Sequence, residues 1–265
     1  MALKPLVAGV YRIFDRNNNY FLNSYIIMKY EILLYGFPAY STRGFLGWST
    51  VALIEAGGKR VLFDSGSYGD RKLLLERLEG KRIDAVFLSH LHYDHCINVE
   101  LFKEAKVLVS EEELNYALSG KYEDVGDPFV PFPIVKSFIE RANPVSDGDE
   151  VSEGVKAVSL AGHTPGSYGL LLEEEGVLFA GDAIKNGWEV VNKRPPIPTF
   201  GGEENAMKSQ RKAMKMAKVI VPGHDGPFRM ANGKVEFLER GAPELYVYWE
   251  PDVERPEKMD LFPKR

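Results

Sequence analysis

Three of the five histidines in this chain fall within six residues, in the run Ser89-His90-Leu91-His92-Tyr93-Asp94-His95-Cys96, with a carboxylate among them. Neutral imidazoles and a carboxylate are borderline-to-hard donors, the set that suits Zn²⁺, iron or Mn²⁺. On a helix, residues 90, 92 and 95 spread around the axis. On a loop leaving a strand end, the alternate spacing aims His90 and His92 at one point and Asp94 and His95 at another. The other two histidines have equally marked settings. His163 lies in Ala161-Gly-His-Thr-Pro-Gly166 and His224 in Val221-Pro-Gly-His-Asp-Gly226. Each follows a strand-like run, with glycines that let the backbone bend close to an ion. Between them, Phe179-Ala-Gly-Asp182-Ala183 sets a carboxylate after an apolar strand. Segments that each end a strand on a ligand describe a metal site along one edge of a sheet.

Two neighbours of this set carry less chemistry. Cys96 follows His95 directly, and in an extended loop the two side chains point apart, so Cys96 reads as a small buried residue packing under the site. Asp64, in Leu62-Phe-Asp-Ser-Gly66, ends a strand. It fits a carboxylate that holds a ligand histidine, and it fits a turn-forming Asp equally well.

The elements that must position these residues follow from periodicity. Val7–Phe14 and Tyr25–Leu34 are rich in β-formers, with Asn17-Asn18-Asn19 as a turn between them. Ser49–Ala56, Gly57-Gly58 and Lys59–Asp64 read as a hairpin. Asp70–Leu78 has a helical apolar face, and Arg82–Ser89 is a strand that delivers His90. A short helix (Val99–Ala105), a strand (Lys106–Val109) and a helix (Glu111–Leu118) come next. From Gly120 to Pro144 the chain reads as an irregular loop carrying Tyr122, Phe129, Phe132 and Phe138 among prolines, the kind of loop that is often functional. Strands resume at Val155–Leu160, Tyr168–Leu172 and Val177–Ala180. After a proline-rich loop (Arg194–Pro198), the helix Glu203–Ala217 feeds the strand Lys218–Val221. The charged tail after Pro251 reads as a surface strap. With no clean linker and no fixed repeat, residues 1–265 read as one mixed α/β domain.

Composition narrows the class. Hydrophobic residues at 45% and charged residues at 27% are ordinary for a soluble globular protein. A single cysteine excludes an internal disulfide and fits a reducing compartment. The amino terminus lacks a basic start followed by a sustained apolar run, and no stretch approaches a membrane span of about 18 apolar residues. The expectation is a soluble, cytoplasmic protein without a membrane partner. A net charge of −5 with no long basic run argues against nucleic acid as a partner. The cations between Lys208 and Lys218 fall at helical spacing and read as a solvated helix face.

These residues resemble the metallo-β-lactamase superfamily, whose signature is His-x-His-x-Asp-His followed by a distant His, Asp and His; the resemblance runs from about Ser49 to His224. It implies a four-layer αββα sandwich with two divalent metal ions between the sheet edges, zinc first, with iron or manganese as alternatives. By the same resemblance His90, His92 and His163 bind one ion, Asp94, His95 and His224 bind the second, and Asp182 bridges both. The motif set is most similar to the lactonase-type branch. There a substrate-contacting Tyr stands three residues after the bridging Asp, where this chain has Lys185. The implied activity is hydrolysis of a small ester, lactone or thioester by a hydroxide that bridges the two ions. Asp94 would carry a proton to the leaving oxygen, and the 120–138 loop and Trp188 would wall the pocket. Two other activities fit the same motif: persulfide dioxygenation on a single iron held by the first set, and phosphodiester cleavage of a nucleotide. The expected partner is a small molecule, with a homodimer possible through the aromatic loop.

Overall fold

The computed structural model describes residues 28–42, 44–241, 244–247 and 257–260. The expected strand at Val7–Phe14 and the Asn17–Asn19 turn lie outside the described residues. In chain order the first part contains β1 (Lys29–Leu34), β2 (Tyr40–Ser41), β3 (Gly44–Phe45), β4 (Val51–Ala56), β5 (Lys59–Phe63), α1 (Arg71–Leu78), β6 (Ala85–Phe87), α2 (Tyr93–Cys96), β7 (Lys106–Ser110), α3 (Glu111–Leu118), α4 (Lys121–Asp124), α5 (Phe132–Phe138) and β8 (Ala142–Val145). The second part contains β9 (Glu150–Ser152), β10 (Val155–Ser159), β11 (Tyr168–Leu172), β12 (Val177–Gly181), α6 (Gly187–Val191), α7 (Glu203–Met216), β13 (Val219–Pro222), β14 (Phe228–Ala231) and β15 (Lys234–Phe237). A separate two-stranded ladder joins β16 (Glu244–Val247) to β17 (Glu257–Asp260).

Two sheets carry the fold. The first has the order β1-β4-β5-β6-β7-β8 and the second β15-β14-β13-β12-β11-β10-β9. In the first, β5 through β8 run parallel, and β5 meets β4 antiparallel across the expected Gly57-Gly58 turn. Strand residues alternate between faces. Ala52, Ile54, Val61, Phe63, Ala85 and Phe87 therefore point inward and pack against Val155, Leu170, Phe179 and Val221 of the second sheet. Their neighbours Val51, Leu53, Leu62 and Val86 point outward, where Leu74, Leu78, Leu114 and Val135 of the helices cover them. On the far side, Leu178 and Ala180 of β12 pack with Ala213 of α7. The layers are helix, sheet, sheet, helix, the expected αββα sandwich. Strands buried on both faces explain why the sequence shows near-continuous apolar runs there.

Most expected elements form; the expected helix at Val99–Ala105 is a single 3-10 turn, Val99–Leu101, and three further differences bear on the site and its surroundings. The Gly120–Pro144 stretch holds two short helices, α4 and α5, and ends in strand β8. Pro133 sits in the first turn of α5, where a missing N–H has no intrahelical partner to lose, so proline starts this helix instead of breaking it. Asp94 and His95 stand on the single helical turn α2, not on an extended loop. The hairpin β14–β15 turns at Asn232 and Gly233, both at positive φ. That Asn-Gly pair is a hairpin signal the sequence reading passed over.

Candidate metal centre

Four strand ends deliver the site. His90 and His92 leave β6, and His92 caps the start of α2, whose one turn presents Asp94 and His95. His163 follows β10, Asp182 follows β12 and His224 follows β13. All seven side chains are buried. Three overlapping sets each place one ligand atom per residue within 4.8 Å of the others: His90, His92 and His163; Asp94, His95 and His224; and His90, His95 and Asp182. The third set shares His90 with the first and His95 with the second, and its Asp182 carboxylate also lies 3.3 Å from His163 Nε2 and 3.2 Å from His224 Nε2. The structure thus brings together all seven residues singled out from the sequence.

Every imidazole has one nitrogen committed to an acceptor on its far side. His90 Nδ1 is 3.0 Å from Ser89 Oγ, which donates to Asp64 Oδ2. His92 Nε2 is 2.9 Å from Asp127 Oδ2, and His95 Nδ1 is 2.8 Å from Asp64 Oδ2. His163 Nδ1 donates to the Pro198 carbonyl at 2.7 Å and His224 Nδ1 to that of Trp48 at 2.8 Å. These bonds assign the proton to the far nitrogen and leave the inward nitrogen as a lone pair. Asp64 thus fulfils the first of its two sequence readings, holding His95. It also turns the chain, at φ 56°. Asp127 was not picked out from sequence.

The inward atoms fit a cation. His90 Nε2, His95 Nε2, His224 Nε2 and Asp182 Oδ1 are buried with no hydrogen-bond partner. Asp182 Oδ1 lies 3.2 Å from both His95 Nε2 and His224 Nε2, yet neither approach has hydrogen-bond geometry. His92 Nδ1 and His163 Nε2 face each other at 3.0 Å, although the outer bonds make both of them acceptors. A buried polar atom left unsatisfied costs about 1–3 kcal/mol, so four of them are expensive unless an ion collects their lone pairs.

Charge tells the same story. Burial drives the His90 and His163 imidazoles well below their ordinary pKa, helped by the neighbouring histidines and, for His163, by Lys185. Neutral imidazoles are the form that ligates. His95 goes the other way: burial opposes its proton, but Asp182, Asp94 and Asp64 together hold it well above the usual range. Burial likewise resists ionisation of Asp182, and His224, Lys185 and His95 overcome it, keeping that carboxyl well below its usual pKa. Three carboxylates around one imidazole demand a positive charge, which a proton or a metal ion can supply.

Two glycines make the approach possible. A Cβ on Gly223 would stand 2.1 Å from Asp182 Oδ1. Gly162, at φ +147°, lets the His163 loop press on α7, where a Cβ would meet the Ala206 backbone at 2.2 Å.

Around the ligands, Phe129 and Phe200 lie against His92, with centroids 5.3 and 5.9 Å away, and Phe45 meets His224 edge-on at 4.9 Å. Phe129 is thus the residue of the aromatic segment that lies against a ligand imidazole. Trp188, expected beside it, is 64% exposed on α6. Lys185 is buried, with Nζ 3.2 Å from Asp182 Oδ2, 3.2 Å from the Ile197 carbonyl and 5.3 Å over the Phe45 ring. Cys96 packs in the core beneath the site, its thiol pKa pushed well up by burial. Glu113, also missed from sequence, ties the two ligand loops together. One carboxylate oxygen accepts from Leu91 N, the other from Thr164 Oγ1 and Gly166 N.

Comparison with known proteins agrees with this geometry. The family model of the metallo-beta-lactamase superfamily matches residues 46–224. The uncharacterized protein YobT of Bacillus subtilis (strain 168) is 30% identical over 189 residues, covering 65% of this chain and 81% of YobT. Metallo-beta-lactamase domain-containing protein 1 of Xenopus laevis is 30% identical over 194 residues, covering 68% of this chain and 72% of that protein. Among solved structures, a quorum-quenching N-acyl homoserine lactone hydrolase superposes with a TM-score of 0.58 at 21% identity, over 72% of this chain and 90% of that one. At that identity the likeness speaks to the fold. The matched span begins just after β3 and ends on His224, enclosing all seven convergent ligands, and the chain belongs to the metallo-beta-lactamase superfamily.

Proposed function

We propose that the protein is a hydrolase using two divalent ions, zinc being the ion its donors suit best, on a small ester, lactone or thioester. The observation that carries this reading is the set of inward-facing lone pairs on seven buried side chains, arranged as two groups joined through Asp182. His90, His92 and His163 would hold one ion and Asp94, His95 and His224 the other, with Asp182 shared. When bound, the ions supply Lewis acidity, which polarises an acyl oxygen and makes water nucleophilic near neutral pH. The completeness of the second group favours two ions over the single iron of a dioxygenase.

The residues of the chain do the rest. Asp94 Oδ2 stands 3.5 Å from His224 Nε2 and 3.7 Å from His95 Nε2, at the inner edge of the site, where it can hold a proton and pass it to a leaving oxygen. Lys185 Nζ, already on Asp182 Oδ2, has a further N–H with which to meet an acyl oxygen. Phe45, Phe129 and Phe200 exclude bulk water from the ligand imidazoles and offer an apolar surface to an acyl chain. We take the whole chain as one domain acting on a small molecule.

The test is metal analysis by mass spectrometry on protein purified without chelator, with His224→Ala alongside, followed by an ester, lactone and thioester panel. Close to two ions per native chain, falling to about one in the variant, together with turnover above a metal-only control, supports the reading. A metal-loaded protein that turns over no panel member sinks it.

A further inference from the structure

The segment from Gly120 to Val130 contributes none of the seven ligands, yet two hydrogen bonds and a ring contact tie it to His92 and the adjoining Tyr93. Asp127 Oδ2 accepts from His92 Nε2 at 2.9 Å, the Phe129 carbonyl accepts from Tyr93 N at 2.9 Å, and the Phe129 ring lies 5.3 Å from His92. Asp127 is itself fixed from its own segment and from α3: Oδ1 accepts from Phe129 N at 3.0 Å, its N–H donates to the Tyr122 carbonyl at 2.8 Å, and Oδ2 also accepts from Tyr116 Oη of α3 at 2.8 Å. The carboxylate and the imidazole are both buried. Of the five histidines, His92 is the one whose outer nitrogen is held by a residue of this aromatic segment.

We propose that Asp127 is a positioning residue that sets the affinity of the first ligand group, and that ion binding there orders the 120–130 segment which presents Phe129 to the substrate. A carboxylate behind a ligand imidazole fixes its tautomer, aims its ring and makes the inward nitrogen a stronger donor. The bond has two ends. If fixing Asp127 strengthens the ion's hold on His92, the ion's hold on His92 stabilises the placement of Asp127 by the same factor. Asp127 is joined to Phe129 through one short backbone step, so the pocket wall is coupled to occupancy of the first group. The pocket is therefore built for an apolar substrate only when that group holds its ion.

This inference rests on the two-ion reading, and its test separates the two. Zinc affinity is measured by competition with a chromophoric chelator in His224→Ala protein, where the first group alone is complete, with and without Asp127→Asn. The Asn keeps the shape and can still accept from His92 Nε2, but it lacks the charge. The expected result is a loss of about 10–100-fold in zinc affinity. In parallel, hydrogen exchange at the Asp127 and Phe129 amides is expected to slow on zinc addition in the native protein and to be indifferent to zinc in Asp127→Asn. Should Asp127→Asn fail to fold, Tyr116→Phe removes the competing donor and leaves the carboxylate to His92. It is expected to tighten zinc binding, and loosening or no change would overturn the proposal. A purely structural Asp127 would lower stability with zinc affinity unchanged, which also overturns it. A native protein that binds no divalent ion removes the two-ion reading and this proposal with it; ion binding intact, with unchanged zinc affinity in Asp127→Asn, removes this proposal alone.

Discussion

Asp64 holds His95 from a backbone that is itself in the left-handed region. Its Oδ2 lies 2.8 Å from His95 Nδ1 while its φ is 56°, and neither residue reaches solvent. Among non-glycine residues Asn and Asp tolerate that conformation best, so the position needs one of those two for the turn and a carboxylate for the imidazole. Asp64→Asn separates the two demands. It leaves the turn intact and is expected to weaken zinc binding in the second group by about 10–100-fold. Chelator competition in His163→Ala protein, where that group alone is complete, checks it.

Lys185 shares the Asp182 carboxylate with the ligand set, its Nζ on the oxygen that lies 3.3 Å from His163 Nε2. Lys185→Met removes an internal cation that competes with an ion for this oxygen, and also removes a donor to an acyl oxygen. The expected pair of results is zinc content unchanged or higher, and kcat reduced by about 100-fold on whichever panel substrate is turned over. Steady-state kinetics beside metal analysis reads both. Loss of zinc in step with kcat would assign Lys185 a structural role instead.

Gly223 tests the space around Asp182. A methyl group there would stand 2.1 Å from Asp182 Oδ1 and 2.9 Å from the Gly181 backbone, so Gly223→Ala must displace the shared carboxylate or the strand end. Zinc content is expected to fall by at least one ion per chain, with activity lost, while far-ultraviolet circular dichroism stays that of the native fold. Full zinc content in the variant would show that the site relaxes around a methyl group.

Glu189 predicts a pH dependence. Burial raises its carboxyl from 4.5 to about 8, with Lys185 and two backbone N–H groups pulling the other way. The folded pKa lies above the unfolded one, so its contribution to stability is fully present below about pH 4.5. It is lost progressively as pH rises through about 8. Glu189→Gln keeps the shape without the ionisation. Relative to native protein it is expected to gain on the order of a few kcal/mol between pH 5 and pH 9. Denaturant unfolding at both pH values checks this, and parallel curves for the two proteins would exclude it.

What was legible in the sequence and what was not divides along physical lines. His90, His92, Asp94, His95, His163, Asp182 and His224 stood out because each follows an apolar strand within a few residues, so local pattern already carries their placement. The core strands were legible as apolar runs such as Val51–Ile54, buried on both faces, whereas their stacking as two sheets was implied by the family resemblance and not by any local pattern. Asp127 and Glu113 were not, because their work is done on residues 35 and 22 positions away and nothing near them in the chain announces it. Helix α5 was hidden behind prolines that read as breakers, although Pro133 acts as a starter, and the single turn of α4 was too short to show a periodicity. The β14–β15 turn at Asn232-Gly233 could have been read and was passed over.

The two sheets meet along a seam, and each ligand set takes two residues from before the exposed Asp147-Gly148 turn and one from after it. His163, Asp182 and His224 are the single contributions of the second sheet to the three sets. Neither half of the molecule can therefore complete a coordination sphere alone, and a bound ion would act as a rivet between halves that otherwise meet through apolar packing and hydrogen bonds such as those of Glu113. A chain severed at that turn should recover ion uptake only when its two pieces recombine, making the ion a reporter of their docking.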